Sequence, residues 1–236
     1  VHEDVSISVG LNANGHFTVR ALPPLLANHT AVDIVSGLFD TAPGADLAVL
    51  AVDTTTQASV LIILNNDRAG GFTPNGAVTL TGLPNATDLA SGDLVTGNGS
   101  DLVVSSASGA ASLLTNNGAG AFVQSALPGT SAAPLAGLAV GIFDDDNVLD
   151  VAVLAGDATA GQLTVLSGDG AGGFTALAPR NVPAHPQALA AGDLDGDGDD
   201  DLVAGFGDRA ATVGAILGSM TVLENEGANN FRPSVY

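Results

Sequence analysis

The sequence predicts an all-β protein, a propeller-like array of four-stranded antiparallel blades with four full units and an N-terminal half unit. Three observations predict it. The composition favours short strands and tight turns, a phenylalanine-bearing motif returns about every 50 residues, and a glycine-to-aspartate motif alternates with it.

Hydrophobic residues make up 46% of the 236 residues while aromatics make up 4%, and there are 31 glycines, so the apolar material is mainly Ala, Val and Leu. A chain of this length can bury one sizeable β core without a second domain. Gly, Pro and β-branched residues interrupt every window of helical period. The first motif appears as SISVGLNANGHF, LIILNNDRAGGF, ASLLTNNGAGAF, LTVLSGDGAGGF and MTVLENEGANNF, an apolar strand, an Asn/Asp/Gly turn and a phenylalanine. Those phenylalanines are Phe17, Phe72, Phe122, Phe174 and Phe231, at steps of 55, 50, 52 and 57 residues. In the second motif Gly37, Gly92, Gly141 and Gly192 each precede an aspartate by nine residues, at Asp46, Asp101, Asp150 and Asp201. Loop length is held while loop content varies, and apolar runs flank each loop.

One unit therefore reads strand, loop, strand, turn, strand, Asn/Gly turn, phenylalanine-bearing strand. The boundaries follow: a half blade over 1–24, then blades over 25–80, 81–130, 131–180 and 181–236, forming one domain or part of a larger propeller. The opening strand pair, around Ser6 to Leu22, supplies only third and fourth strands, and the chain ends on a fourth strand. An inner edge is then expected to need cover from another polypeptide or from further blades.

The formal charge of −20 comes from 25 acidic residues against five arginines, with no lysine. Such a surface repels phosphate backbones and anionic headgroups, so nucleic acid and membranes are not expected partners. The longest apolar stretch, from Ala132 to Phe143, is 12 residues and carries proline and glycine, too short to span a bilayer. No signal peptide is visible, and a chain that begins at Val1 is expected either to have lost a leader or to be a fragment. Cysteine is absent, which excludes disulfides, thiolate metal sites and cysteine nucleophiles.

Of the acidic residues 22 are Asp and three are Glu, the skew expected when carboxylates serve turns and metal loops. The fourth loop concentrates them. Asp193, Asp195, Asp197 and Asp201 fit D-x-D-x-D-G-x-x-D, with Asp199 placed to offer its backbone carbonyl. Calcium takes six to eight oxygens, and alternating short carboxylates in a tight loop suit that hard cation. An EF-hand is excluded, because its twelfth position falls on Ala204 and strands flank the loop. The third loop keeps Asp144, Asp146 and Asp150 but has Ile142 at the first position, which points to a weaker second site. The first two loops keep only Asp40 and Asp46, and Asp93 and Asp101, where the last aspartate is expected to accept backbone N–H bonds.

These features, GDLDGDGDDDLV with the trailing LENEGANNF and the in-register copies, resemble the FG-GAP/VCBS repeat family, known from the integrin α-subunit head and bacterial surface proteins. The resemblance implies a β-propeller with calcium in the loop between strands 1 and 2. It implies Asp193, Asp195, Asp197, the carbonyl of Asp199 and Asp201 as ligands. It also implies an extracellular or cell-surface setting, with roles in adhesion and in protein or glycan binding.

No catalytic apparatus is legible. GDGAGG, Gly168 to Gly173, matches G-x-G-x-x-G but leads into a strand and aligns with the turns of other repeats. No Walker lysine or nucleophile elbow exists, and His2, His16, His29 and His185 have no ligand spacing. The sequons at Asn28, Asn85 and Asn98 are no more than chance supplies. The sequence reading is a non-catalytic, calcium-binding extracellular scaffold presenting loops to a protein or glycan. The alternatives are a structural subunit of a surface assembly contacting neighbouring copies of itself, and an accessory propeller domain of a secreted enzyme. The longest connection, Arg209 to Gly218, is the expected contact segment.

Overall fold

The computed structural model describes residues 8–13, 16–21, 26–130, 133–207, 218–227 and 229–234. The Arg209 to Gly218 contact segment lies outside the described residues, apart from Gly218 itself. All described regular structure is β. Strands β1 (Ser8–Ala13) and β2 (His16–Ala21) form an antiparallel hairpin. The first full blade holds β3 (His29–Gly37), β4 (Asp46–Asp53), β5 (Ser59–Asn66) and β6 (Phe72–Thr79). The second holds β7 (Ala86–Gly92), β8 (Asp101–Ser106), β9 (Ala111–Asn116) and β10 (Phe122–Ala126). The third holds β11 (Leu135–Gly141), β12 (Asp150–Gly156), β13 (Gly161–Gly168), β14 (Phe174–Ala176) and β15 (Arg180–Val182). The fourth holds β16 (Pro186–Gly192), β17 (Asp201–Gly207), β18 (Gly218–Asn225) and β19 (Phe231–Ser234).

Within each blade the strands pair in chain order, and the first strands β3, β7, β11 and β16 lie successively side by side. That is a propeller-like stack, and it is not closed into a ring. In the third blade both β14 and β15 pair with β13, as two pieces of one interrupted outer strand. The break falls at Leu177 to Pro179, where proline lacks a ladder donor. The outer strand therefore continues to Val182, past the expected boundary at 180.

The core sits between blades. The central strands read as continuous apolar runs, such as DLAVLAV and VLIIL, because both of their faces are covered. Ala48, Leu50, Leu61 and Ile63 of the first blade pack with Leu83, Leu89, Leu102 and Leu114 of the second. The alternate residues Val49, Ala51, Ile62 and Leu64 form a separate cluster on the opposite face. The next two interfaces repeat the scheme, around Leu94, Val103, Leu138 and Val153, then around Phe143, Leu163, Leu202 and Phe231.

Every first strand carries a bulge at one register, between Ala31 and Asp33, Ala86 and Asp88, Leu135 and Gly137, and Pro186 and Ala188. In the first two blades the bulge places a carboxylate against the next blade. Asp33 Oδ2 accepts the Leu89 N–H at 3.0 Å and Asp88 Oδ2 accepts the Leu138 N–H at 2.6 Å. The third blade has Gly137 there, and a Cβ on it would come 2.8 Å from the Leu189 backbone nitrogen. Backbone packs directly on backbone at that junction.

Candidate metal loop

The glycine and aspartate nine residues apart are direct cross-strand partners in all four blades: Gly37 with Asp46, Gly92 with Asp101, Gly141 with Asp150, and Gly192 with Asp201. The constant spacing thus closes the hairpin between first and second strands. Each closing aspartate is buried, at 1% exposure or less, and ties the loop to the third strand. Asp46 accepts the Phe39 and Asn66 amides, Asp101 those of Val95 and Asn116, Asp150 those of Phe143 and Gly168, and Asp201 those of Leu194 and Asn225. One oxygen faces the loop and the other the strand, so the loop start is held whatever its remaining residues. Burial pushes the Asp150 carboxyl up to about 6, against the Gly168 and Phe143 amides and with help from the charges of Asp144 and Asp146.

On this floor the fourth loop arranges its exposed acids. Asp193, Asp195 and Asp197 each offer a carboxylate oxygen, and these oxygens all lie within 4.8 Å of one another. Each carboxylate also folds the loop: Asp193 Oδ1 accepts the Gly196 N–H, Asp195 Oδ1 that of Asp197, and Asp197 Oδ1 that of Asp199. Gly196 at φ 87° and Gly198 at φ 103° take left-handed turns that side chains resist, which lets alternate aspartates face one centre. The Asp197 amide pulls Asp195 down, but partial desolvation and the charges of Asp197, Asp201 and Asp193 outweigh it, so the net shift is upward. Desolvation and neighbouring charges, first Asp197 and then Asp145, likewise raise Asp199.

Calcium-oxygen bonds of about 2.3–2.6 Å allow ligand oxygens up to about 5 Å apart, so the three carboxylates fit one such ion. Asp201, also expected as a ligand, is not among the three whose oxygens converge, and both of its oxygens accept backbone donors, from Leu194 and Asn225. The side chain of Asp199 turns elsewhere. A Cβ on Gly227 would lie 3.4 Å from its Oδ2 and 3.3 Å from Asp145 Oδ1 of the third blade.

The third loop is organised differently. Asp144 accepts the Asp146 N–H and the Ser167 hydroxyl, and Asp146 accepts the Val148 N–H. Among the described residues Asp144, Asp146 and Asp150 do not form a carboxylate cluster like that of the fourth loop. In the third-to-fourth strand turns, Asp67, Asn117 and Asp169 each accept two amides of their own loop. GDGAGG is therefore a hairpin turn organised by Asp169.

The sequence reading missed two sets of residues. Asn116 and Asn225 reach back to the preceding blade, donating from Nδ2 to the carbonyls of Phe39 and Phe143 at 3.2 Å and 3.0 Å. Asp33 and Asp88 also went unmarked, although both stand four residues before the loop glycine, a shared register that a closer alignment of the repeats would have revealed. A cavity of about 210 Å³ lies between Leu163, Val165, Leu177 and Phe231. Its one cation, Arg180, is committed to the carbonyls of Phe231 and Asn229.

Residues 143–204 match the family described as FG-GAP-like repeat, a span that begins at the third loop and contains all of the fourth. No match emerged among curated protein sequences. Among solved structures the fold is similar to Bacillus licheniformis rhamnogalacturonan lyase PL11, with a TM-score of 0.53 and 14% identity over 84% of this chain and 47% of that one. It is also similar to the exotype rhamnogalacturonan lyase YesX, with a TM-score of 0.52 and 11% identity over 96% of this chain and 52% of that one. The chain spans about half the length of each, and at these identities the likeness concerns the fold alone. The chain carries an FG-GAP-like repeat over residues 143–204, set in an open, all-β, propeller-like stack.

Proposed function

We propose that the chain is a non-catalytic, calcium-stabilised scaffold of an extracellular protein, whose loops bind a protein or glycan. The observation that carries the calcium reading is the convergence of the Asp193, Asp195 and Asp197 oxygens within 4.8 Å, on a hairpin closed by Asp201. A cation there neutralises repulsion that only the folded loop creates, so binding stabilises the fold. Open loops of this kind fill where calcium is plentiful, which supports an extracellular setting. No helix among the described residues is long and apolar enough to cross a membrane.

Thermal melts with calcium and with chelator test the reading. With calcium at about a hundredfold excess over Kd the gain is about 2.7 kcal/mol, or about 5–10 °C for a domain of this size. Asp195→Ala should abolish most of that difference; an unchanged difference sinks the assignment. Asp144→Ala in parallel tests the second loop, where a smaller loss is expected if Asp144, Asp146 and Asp150 hold an ion.

A second reading, an accessory domain of a secreted enzyme, is favoured by the fold likeness to the two lyases. Calorimetric titration with rhamnogalacturonan separates the two, since saturable binding supports the accessory role and its absence returns weight to a protein ligand.

A further inference from the structure

The turn between the third and fourth strands of the fourth blade departs from its counterparts. In the first three blades Asp67, Asn117 and Asp169, each directly after the third strand, cap two amides of their own turn. The fourth blade has Glu226 there, a methylene longer, and its Oε2 pairs with Arg232 at 3.0 Å and accepts from Asn230 Nδ2 at 3.3 Å. The turn leans on the third blade, where the Asn229 N–H donates to the Phe143 carbonyl at 2.9 Å. This sets Gly227, at φ 86°, against the third and fourth loops at once. A Cβ on Gly227 would lie 3.3 Å from Asp145 Oδ1 and 3.4 Å from Asp199 Oδ2. Carboxylates of two different blades therefore converge over one residue that has no side chain to separate them.

A buried oxygen points to the same place. Asn225 is 1% exposed, and its Nδ2 donates to the carbonyls of Phe143 and Asp200 at 3.0 Å and 3.4 Å. Asn116 makes the same pair of bonds one junction earlier, to Phe39 and Ser100. With the donors engaged alike the two side chains are oriented alike. Asn116 Oδ1 accepts the amide two residues on, that of Gly118 at 3.0 Å, and Asn66 Oδ1 accepts that of Arg68 at 2.7 Å. Asn225 Oδ1 accordingly faces Gly227, yet among the described residues it has no hydrogen-bond partner. A buried amide oxygen left without a donor or a cation is costly, and folded proteins satisfy almost all such groups.

We propose that Asp145 Oδ1, Asp199 Oδ2 and Asn225 Oδ1 hold a calcium ion between the third and fourth blades. All three donors are hard oxygens and two carry charge, the set that calcium prefers, and water on the exposed side of Asp145 completes its six to eight ligands. The arginines of these two blades among the described residues are committed elsewhere, Arg180 to the carbonyls of Phe231 and Asn229 and Arg232 to Glu226. The site is distinct from both loop candidates. Asp145 stands between Asp144 and Asp146 and is not one of the expected third-loop ligands, and Asp199 gives this site its carboxylate, not the backbone carbonyl expected at the fourth loop. An ion here fastens the fourth loop to the neighbouring blade. The inference does not require an ion at Asp193, Asp195 and Asp197, and each site has its own variant.

Calorimetric titration of the full chain with calcium chloride tests this in a protein carrying Asp144→Ala and Asp195→Ala, which disable both loop candidates. One calcium should still bind. Adding Asp145→Ala, or separately Asp199→Ala, should weaken that binding about tenfold or more with unchanged circular dichroism. A starting protein that binds no calcium, as when water alone satisfies Asn225, overturns the proposal, and so does binding that survives either substitution. Gly227→Arg is the independent check. The first blade carries Arg68 at this turn position with φ 59°, so the backbone accepts arginine there, and its guanidinium would stand between the two carboxylates in place of the ion. Calcium binding should be lost in this variant as well, and unchanged affinity refutes the site. Failure of the loop reading is told apart, because Asp195→Ala alone would then change nothing in the wild-type titration while Asp145→Ala would still remove one ion.

Discussion

Replacing Asp88 by asparagine should remove a pH dependence of stability that the wild-type chain carries in one carboxyl pair. Asp88 is half-buried in the first strand of the second blade, and its carboxyl is pushed up from 3.8 to about 7. Burial is the largest cause, followed by the hydrogen bond to the Asp33 carboxylate, with that group's charge adding to it. The Leu138 and Leu89 amides oppose the rise. The folded chain thus holds this proton more tightly than the unfolded chain. The contribution to stability is complete below about pH 4 and is lost as pH rises through about 7. Fully expressed, the interval corresponds to about 4 kcal/mol, and solvent screening of a half-buried group reduces it to about 2 kcal/mol. Asparagine at 88 offers an oxygen to the Leu138 amide and an N–H₂ to Asp33, with nothing to titrate. Urea midpoints at pH 5 and pH 8 should show the wild type losing about 1 kcal/mol more than Asp88→Asn, because part of the contribution is already lost between pH 4 and pH 5. The other aspartates, including Asp150, are common to both proteins and cancel in the difference. Parallel profiles for the two proteins would refute the reasoning.

Two further outcomes follow from the junctions and loop floors. Asp101→Ala strands the partly buried amide of Val95 and the buried amide of Asn116, held at 2.7 Å and 2.8 Å. It should cost about 2–4 kcal/mol by urea denaturation, and a loss below about 1 kcal/mol would show that the floor carboxylate is not what holds the loop. Phe143→Ala should cost about 3–5 kcal/mol, whereas Leu194→Ala at its equivalent, exposed position should stay within about 0.5 kcal/mol. Equal losses would mean that Leu194 is covered within the single chain.

How much of the candidate site was legible depended on whether a role is fixed locally. Asp193, Asp195 and Asp197 alternate within one hairpin, with Gly196 and Gly198 supplying the left-handed turns, so loop spacing alone brings their oxygens together. The third loop shows the limit. Asp144 and Asp146 keep the spacing, yet Asp144 bonds to Ser167 on another strand, a competitor that the loop sequence does not reveal. Asp201 reads in sequence as one ligand among several, but in the fold it is the buried post joining loop to third strand.

The sequence by itself determined the β class, the four-stranded unit, its phase, and the hairpin that gathers the three exposed aspartates. All of these depend on neighbours within one unit, where strand alternation and turn chemistry operate over a few residues. Only the tertiary structure decided what lies between units: that Asp33 and Asp88 bridge blades, that Gly137 allows backbone contact, and that Phe39, Leu94 and Phe143 are buried where Leu194 is not. A repeat carries the same residues wherever it stands. Burial depends on what packs against it, and that is a property of the stack.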